Sequence, residues 1–208
     1  MTEYRTLLGE GRAEIEEKRS VFIGSAAFVT TEEEAVAFIN RIRAEFPDAR
    51  HNVYAYLLRE GAKTRYSDDK EPQGTAGIPV LEVLRKNECL DAVIVVTRYF
   101  GGILLGAGGL ARAYTEAAAA AVRAAVPVLR RPAVEYTLSC SYSEYPRLRQ
   151  LIERFGGTPG EPVFAAEITL TYTIPEKDAD RLASEFTEAT CGKVLPRRGA
   201  EGWEKVPI

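Results

Sequence analysis

Ala35, Phe38, Ile39, Ile42 and Phe46 recur at helical spacing, and Thr31 with Glu34 forms a capping box ahead of them, so a helix is expected from Thr31 to Pro47. Val21, Phe22 and Ile23 before it, and Val53 to Leu58 after it, read as strands, with a turn at Gly61. A second helix is expected from about Gly77 to Lys86, where Pro79 sits in the first turn and its missing N–H is no loss. Ala92 to Val96 is a continuous apolar run rich in β-branched residues, the pattern of a strand covered by helices on both faces. After a glycine-rich stretch, Leu110, Ala113, Tyr114, Ala117, Ala121 and Val122 make one stripe of a long helix from Leu110 to about Ala125. The alanine run inside that helix has high helical propensity and suits close contact with a sheet.

Pro127 and Pro132 flank Arg130 and Arg131, which together read as a linker and divide the chain into domains at 1–129 and 130–208. Past the linker, Val134, Tyr136, Leu138, Cys140 and Tyr142 alternate with polar residues, and Ile168, Leu170, Tyr172 and Ile174 do the same. Leu148, Leu151, Ile152 and Phe155 mark a helix stopped by Gly156 and Gly157, while Leu182, Ala183 and Phe186 mark another. Further strands near Pro162 to Ala165 and after Gly192 complete the order β-α-β-β-α-β, a ferredoxin-like sandwich with both helices on one side. The chain is thus α+β in both halves. Tyr136, Tyr142 and Tyr172 fall on the apolar parity of their strands, so the other face carries hydroxyls and base stacking on that sheet is not expected.

Composition changes this picture little. The 208 residues are 46% hydrophobic and 27% charged with a net charge of -3, ordinary for a packed chain and no lure for polyanions. The local exception runs from Thr97 to Arg131, where Arg98, Arg112, Arg123, Arg130 and Arg131 face the single acid Glu116. Cys89, Cys140 and Cys191 are widely spaced with no C-x-x-C pair, which suits reduced thiols and a cytoplasmic location and offers no zinc site. No membrane association is expected, since the charged start of the chain lacks an apolar leader and no run is long enough to span a bilayer.

Chemistry, if any, belongs to two glycine-rich segments of the first domain. Arg98-Tyr99-Phe100-Gly101-Gly102, followed by Gly106-Ala107-Gly108-Gly109 and a helix, lets backbone N–H groups approach a phosphate or carboxylate, with Arg98 or Arg112 as a clamp. The plainer reading makes these glycines tight turns between strand and helix, and the segment alone favours it. In the second segment, Asp68, Asp69 and Glu71 are candidate magnesium ligands, and Gly74, Thr75 and Gly77 offer another helix N-terminus; a solvated turn is again the plainer reading. His51, the only histidine, enters a strand and is a candidate base, though a structural or surface role is favoured.

His51, Ser67-Asp68-Asp69-Lys70-Glu71-Pro72, Gly74-Thr75-Ala76-Gly77, Arg98-Tyr99-Phe100-Gly101-Gly102 and Gly108-Gly109-Leu110-Ala111-Arg112-Ala113-Tyr114, in that order, closely resemble the IMPACT family in its bacterial form. The resemblance implies a first domain like the second domain of ribosomal protein S5 and a second like the last domain of elongation factor G. Two positions depart from it: glycine is usual where this chain has Lys70, and a lysine or similar polar residue where it has Leu104. Eukaryotic relatives restrain the amino-acid-starvation kinase in translation control and carry a further N-terminal domain. The resemblance therefore implies a non-catalytic binding protein linked to translation, with RNA, the ribosome or a ribosome-associated protein as partner and no catalytic residue, cofactor or set oligomeric state. The alternatives are a metal-dependent enzyme acting on a small phosphorylated substrate, with His51 as base, and a protein-binding adaptor.

Overall fold

The computed structural model describes residues 2–208. In chain order the elements are β1 (Tyr4–Leu7), β2 (Gly11–Glu17), β3 (Ser20–Phe28), α1 (Glu32–Glu45), β4 (His51–Leu57), β5 (Thr64–Ser67), α2 (Gly77–Lys86), β6 (Ala92–Tyr99), α3 (Gly106–Ala124), β7 (Pro127–Cys140), α4 (Tyr145–Arg154), β8 (Thr158–Pro159), β9 (Val163–Phe164), β10 (Ile168–Pro175), α5 (Ala179–Thr190) and β11 (Arg197–Pro207). The chain divides into two compact units, one holding Tyr4–Leu129 with Val206–Ile208 and the other Arg130–Lys205 with Thr2 and Glu3. Among the described residues no helix is long and apolar enough to cross a membrane.

The first unit is built on an antiparallel sheet in the order β2-β3-β6-β4-β5. Alternation along β6 explains its two coverings. Ala92, Ile94 and Val96 face a core shared with α2 and α3, while Val93 and Val95 face the residues of α1. Helix α1 starts as its capping box requires: the Glu34 N–H donates to the Thr31 hydroxyl and the Glu34 carboxylate accepts from the Thr31 N–H.

Two sequence expectations fail here for physical reasons. The glycines 106–109 are not a loop before α3 but its first turn, so the helix begins a full turn before Leu110. The Pro127 to Pro132 segment is not a linker either, because β7 runs unbroken from Pro127 through the two prolines to Cys140. Proline fixes a φ that an extended strand already uses and removes only one donor, so it need not interrupt a strand.

In the second unit β10 pairs antiparallel with β7 on one side and with β8 and β9 on the other, while β11 pairs with β7. The spatial order β11-β7-β10-β8/β9 with α4 and α5 in the crossovers is ferredoxin-like. Leu138, Cys140, Ile168, Leu170, Tyr172 and Ile174 meet Leu148, Ile152, Leu182 and Phe186 in its core. The opposite face carries Thr137 beside Thr171 and Ser139 beside Thr169. Tyr142 departs from its expected parity: β7 ends at Cys140, and the tyrosine lies beyond the strand, exposed.

The alanine run of α3 does bring backbone against backbone. A Cβ on Gly24 of β3 would stand 2.4 Å from the Ala117 carbonyl oxygen, so the helix sits closer to the sheet than any side chain at 24 permits. Gly24→Ala is expected to lower stability by about 1–3 kcal/mol, measured by thermal melting; an unchanged melting temperature would show that this contact yields.

Candidate functional site

Antiparallel pairing of β6 with β3 and β4 places Arg98 opposite Phe22 and His51, at the end of the sheet where the loop from Ser67 to Gly77 folds over. That loop keeps its shape through its own acids. The Asp68 carboxylate accepts from the N–H groups of Gly74 (2.9 Å), Ala76 (3.0 Å) and Gly77 (2.7 Å), closing the start of α2 with an internal anion. Asp69 accepts from the Asn52 N–H at 2.6 Å, and Thr75 donates its hydroxyl to the Pro72 carbonyl. Glu71 turns inward, where its Oε1 accepts from Arg98 Nη1 and from the Tyr114 hydroxyl, both at 2.7 Å.

This last junction is almost dry, the side chains of Arg98 and Glu71 being 7% and 4% exposed. The Arg98 guanidinium lies 5.4 Å from the ring of Phe22 and 5.5 Å from that of Phe100, and its Nε is buried with no hydrogen-bond partner among the described residues. Burial, and then the charge of Glu71, push the Tyr114 phenol far above its ordinary range, so it stays a donor. His51 Nδ1 lies 2.8 Å from the Asp69 carbonyl. A carbonyl only accepts, so Nδ1 carries the proton and Nε2 is left facing Glu71 Oε1 at 3.9 Å, too far for a hydrogen bond.

The predicted metal set does not come together. Asp68 is held by the start of α2, Asp69 by Asn52 and the Glu71 Oε1 by Arg98 and Tyr114, and among the described residues no group of three His, Cys, Asp or Glu side chains is placed to hold a metal ion. Arg98 is likewise not a surface clamp, since it is buried against Glu71. Gly74, Thr75 and Gly77 offer no vacant anion site, because Asp68 fills it. Ser20 is a residue that sequence reasoning missed: its hydroxyl accepts from the Gly101 N–H at 3.1 Å, and only the β3–β6 register brings it there.

The glycines separate by cause. A Cβ on Gly101 would stand 2.0 Å from the Arg19 carbonyl carbon, and one on Gly77 2.8 Å from that of Ser67, so both are packing positions. Gly74, Gly102 and Gly106 have φ of +79°, +84° and +72°, and a Cβ on Gly109 would meet that of Leu105 at 3.0 Å. Gly108 has no such reason: it is exposed, lies inside α3, has no positive φ, and among the described residues nothing stands within 4 Å of where its Cβ would be. Around it the first turn of α3 holds no acid, and the N-cap residue Leu105 makes no side-chain cap. Arg112, one turn on, is exposed and forms no ion pair among the described residues. Tyr99 ends β6 half-buried.

Residues 18–122 match the Impact N-terminal domain, and residues 138–193 match a domain of unknown function (DUF1949). The chain is 35% identical to IMPACT family member YvyE of Bacillus subtilis over 191 residues, 91% of this chain and 88% of that protein. It is 34% identical to IMPACT family member YigZ of Escherichia coli over 180 residues, 85% and 88% of the two chains. A Protein IMPACT homolog of Dictyostelium discoideum is 38% identical over 96 residues, 44% of this chain and 28% of that one. A crystal structure described as that of a hypothetical protein superposes with a TM-score of 0.61 at 30% identity, covering 96% of this chain and 98% of the other.

Removing one partner of a buried pair strands the other charge, so Arg98→Ala and Glu71→Ala should each cost about 3–5 kcal/mol, while Tyr114→Phe, which deletes one hydrogen bond to a charge, should cost about 1.5–3 kcal/mol. Urea midpoints would check this; an Arg98→Ala protein as stable as the parent would mean that the junction is not structural.

Proposed function

The chain belongs to the IMPACT family, and on that premise we propose that it is a non-catalytic, translation-linked binding protein whose first unit takes RNA phosphate at the start of α3. The observation that carries this reading is Gly108. Glycine inside a helix costs about 1 kcal/mol relative to alanine, and neither backbone conformation nor packing within the chain accounts for it. A ligand approaching the backbone closely does account for it. The first N–H groups of a 19-residue helix point there with the positive end of its dipole, and Arg112 supplies a mobile charge beside them. Helix α2 supplies the internal precedent, since its own N-terminus is satisfied by the carboxylate of Asp68.

For the enzyme alternative, Asp68, Asp69 and Glu71 are each engaged within the chain and do not form the metal set that it would use. The adaptor reading keeps one observation of its own, the apolar run before α3, where Phe100, Ile103 and Leu104 are exposed, Leu104 to 84%.

Gly108→Ala separates stability from binding. It should raise stability by about 1 kcal/mol and yet weaken binding to a short single-stranded RNA at low salt, measured by fluorescence anisotropy. Arg112→Ala should weaken binding across sequences and reduce the log–log salt slope by about 1. An absence of RNA affinity at low salt, or an unimpaired Gly108→Ala protein, would overturn the assignment; recovery of a protein partner that nuclease and moderate salt do not disturb would favour the adaptor.

A further inference from the structure

The second unit carries an aromatic surface that its own core does not use. Tyr142 lies just past the end of β7, and Val163 and Phe164 form the two-residue strand β9 beside the start of β10. All three are open to solvent, at 55%, 63% and 61%. They are nevertheless held in place. The Tyr142 hydroxyl donates to the Ala165 carbonyl at 2.9 Å, the Tyr142 and Phe164 rings lie 6.2 Å apart at 29°, and Tyr145 meets Phe164 edge-on, also at 6.2 Å. A set of rings fixed before binding loses little side-chain entropy on docking, which is how aromatic anchors act at interfaces.

The charge around these rings selects the partner. Glu161, two residues before Val163, and Glu167, at the turn into β10, are both exposed and form no ion pair among the described residues. Glu144 adds a third carboxylate, held ionised chiefly by the Ser141 hydroxyl and then by the Ser141 N–H, with the more distant charge of Lys193 contributing less. The nearby Arg149 is engaged by Glu153 and the Tyr145 hydroxyl. Burial raises the Cys140 thiol first, and the charges of Glu144 and Glu167 raise it further, which places both carboxylates near this end of β7. Such a rim repels phosphates and attracts cations. The edge of the sheet also discourages strand addition, because Pro159 and Pro162 lack the N–H groups that an added strand needs.

We propose that the face formed by Tyr142, Val163 and Phe164, rimmed by Glu144, Glu161 and Glu167, docks a basic and apolar segment of a protein partner through its side chains. The observations behind this site all lie in the second unit and do not involve α3.

The test uses the whole chain, with amide shifts followed by NMR as three probes are added: a short peptide alternating Arg and Leu, its Glu and Leu counterpart, and a short single-stranded RNA. The basic peptide is expected to give saturable shifts at Tyr142 and over 163–167. A paired Glu161→Lys and Glu167→Lys change should weaken it roughly tenfold and admit the acidic peptide instead, and Phe164→Ser should abolish both. Phe164 is exposed, so that variant should melt like the parent; if it does not, the charge reversal decides alone. Silence from the basic peptide, equal binding of the acidic one, RNA shifts at the same residues, or self-association that Phe164→Ser removes would each overturn the proposal.

Discussion

A carboxylate at position 71, nearly out of water, holds the end of the first unit together. Glu71 comes from the loop before α2, Arg98 from the end of the central strand β6 and Tyr114 from two turns inside α3, so one oxygen ties three separate elements. Taking a guanidinium and a carboxylate out of water is costly, and a pair in such surroundings adds little net stability over an apolar substitute; its effect is that neither partner tolerates the other's loss. The loop is therefore fixed in register with the sheet. Fixing it delivers Asp68 to the start of α2 and the Asp69 carbonyl to His51. The acids that look from a distance like ligands for a metal are the clamps by which this loop is made rigid.

That constraint also explains which parts of the fold were legible in the sequence. Helix α1 could be read from Thr31 and Glu34 because its cap is local, and β6 because continuous apolar residues have only one stable setting, covered on both faces. The roles of Asp68, Glu71 and Arg98 are set by partners far away in sequence: Arg98 and Glu71 are 27 positions apart, and Tyr114 and Glu71 are 43. No spacing rule tells a carboxylate that will face solvent from one that folds under. The start of α3 was misread for a related reason, since glycine lowers helical propensity without forbidding the helix and tertiary packing decides. Pro127 and Pro132 misled in the same way, being weak evidence of a break once neighbouring residues pair as a strand.

The resemblance to a family and the structure bear differently on the two departures from its pattern. Lys70, where glycine is usual, has φ +71°, directly after Asp69 at +40°. Glycine reaches that region at no steric cost, whereas lysine pays about 1 kcal/mol or more. Geometry is thus sufficient to explain glycine there. Leu104 lies almost wholly in solvent, where a polar residue would be well hydrated and leucine is not stabilised by the fold. One departure strains the backbone and the other leaves apolar surface in water.

Glycines that look alike in sequence prove to be of several kinds. Replacing Gly101 or Gly77 would push backbone into backbone, and replacing Gly102 or Gly106 would force a left-handed residue, so each is explained before any ligand is considered. Gly108 survives this elimination, and it does so on the first turn of the helix whose N–H groups no side chain of its N-cap residue satisfies. In α2 the corresponding groups are closed by Asp68, which shows that this fold satisfies a helix start with an anion where its own chain can supply one. At α3 the chain places no acid in the first turn and keeps the surface bare of a Cβ, and it is on this contrast with α2 that the proposed phosphate site rests.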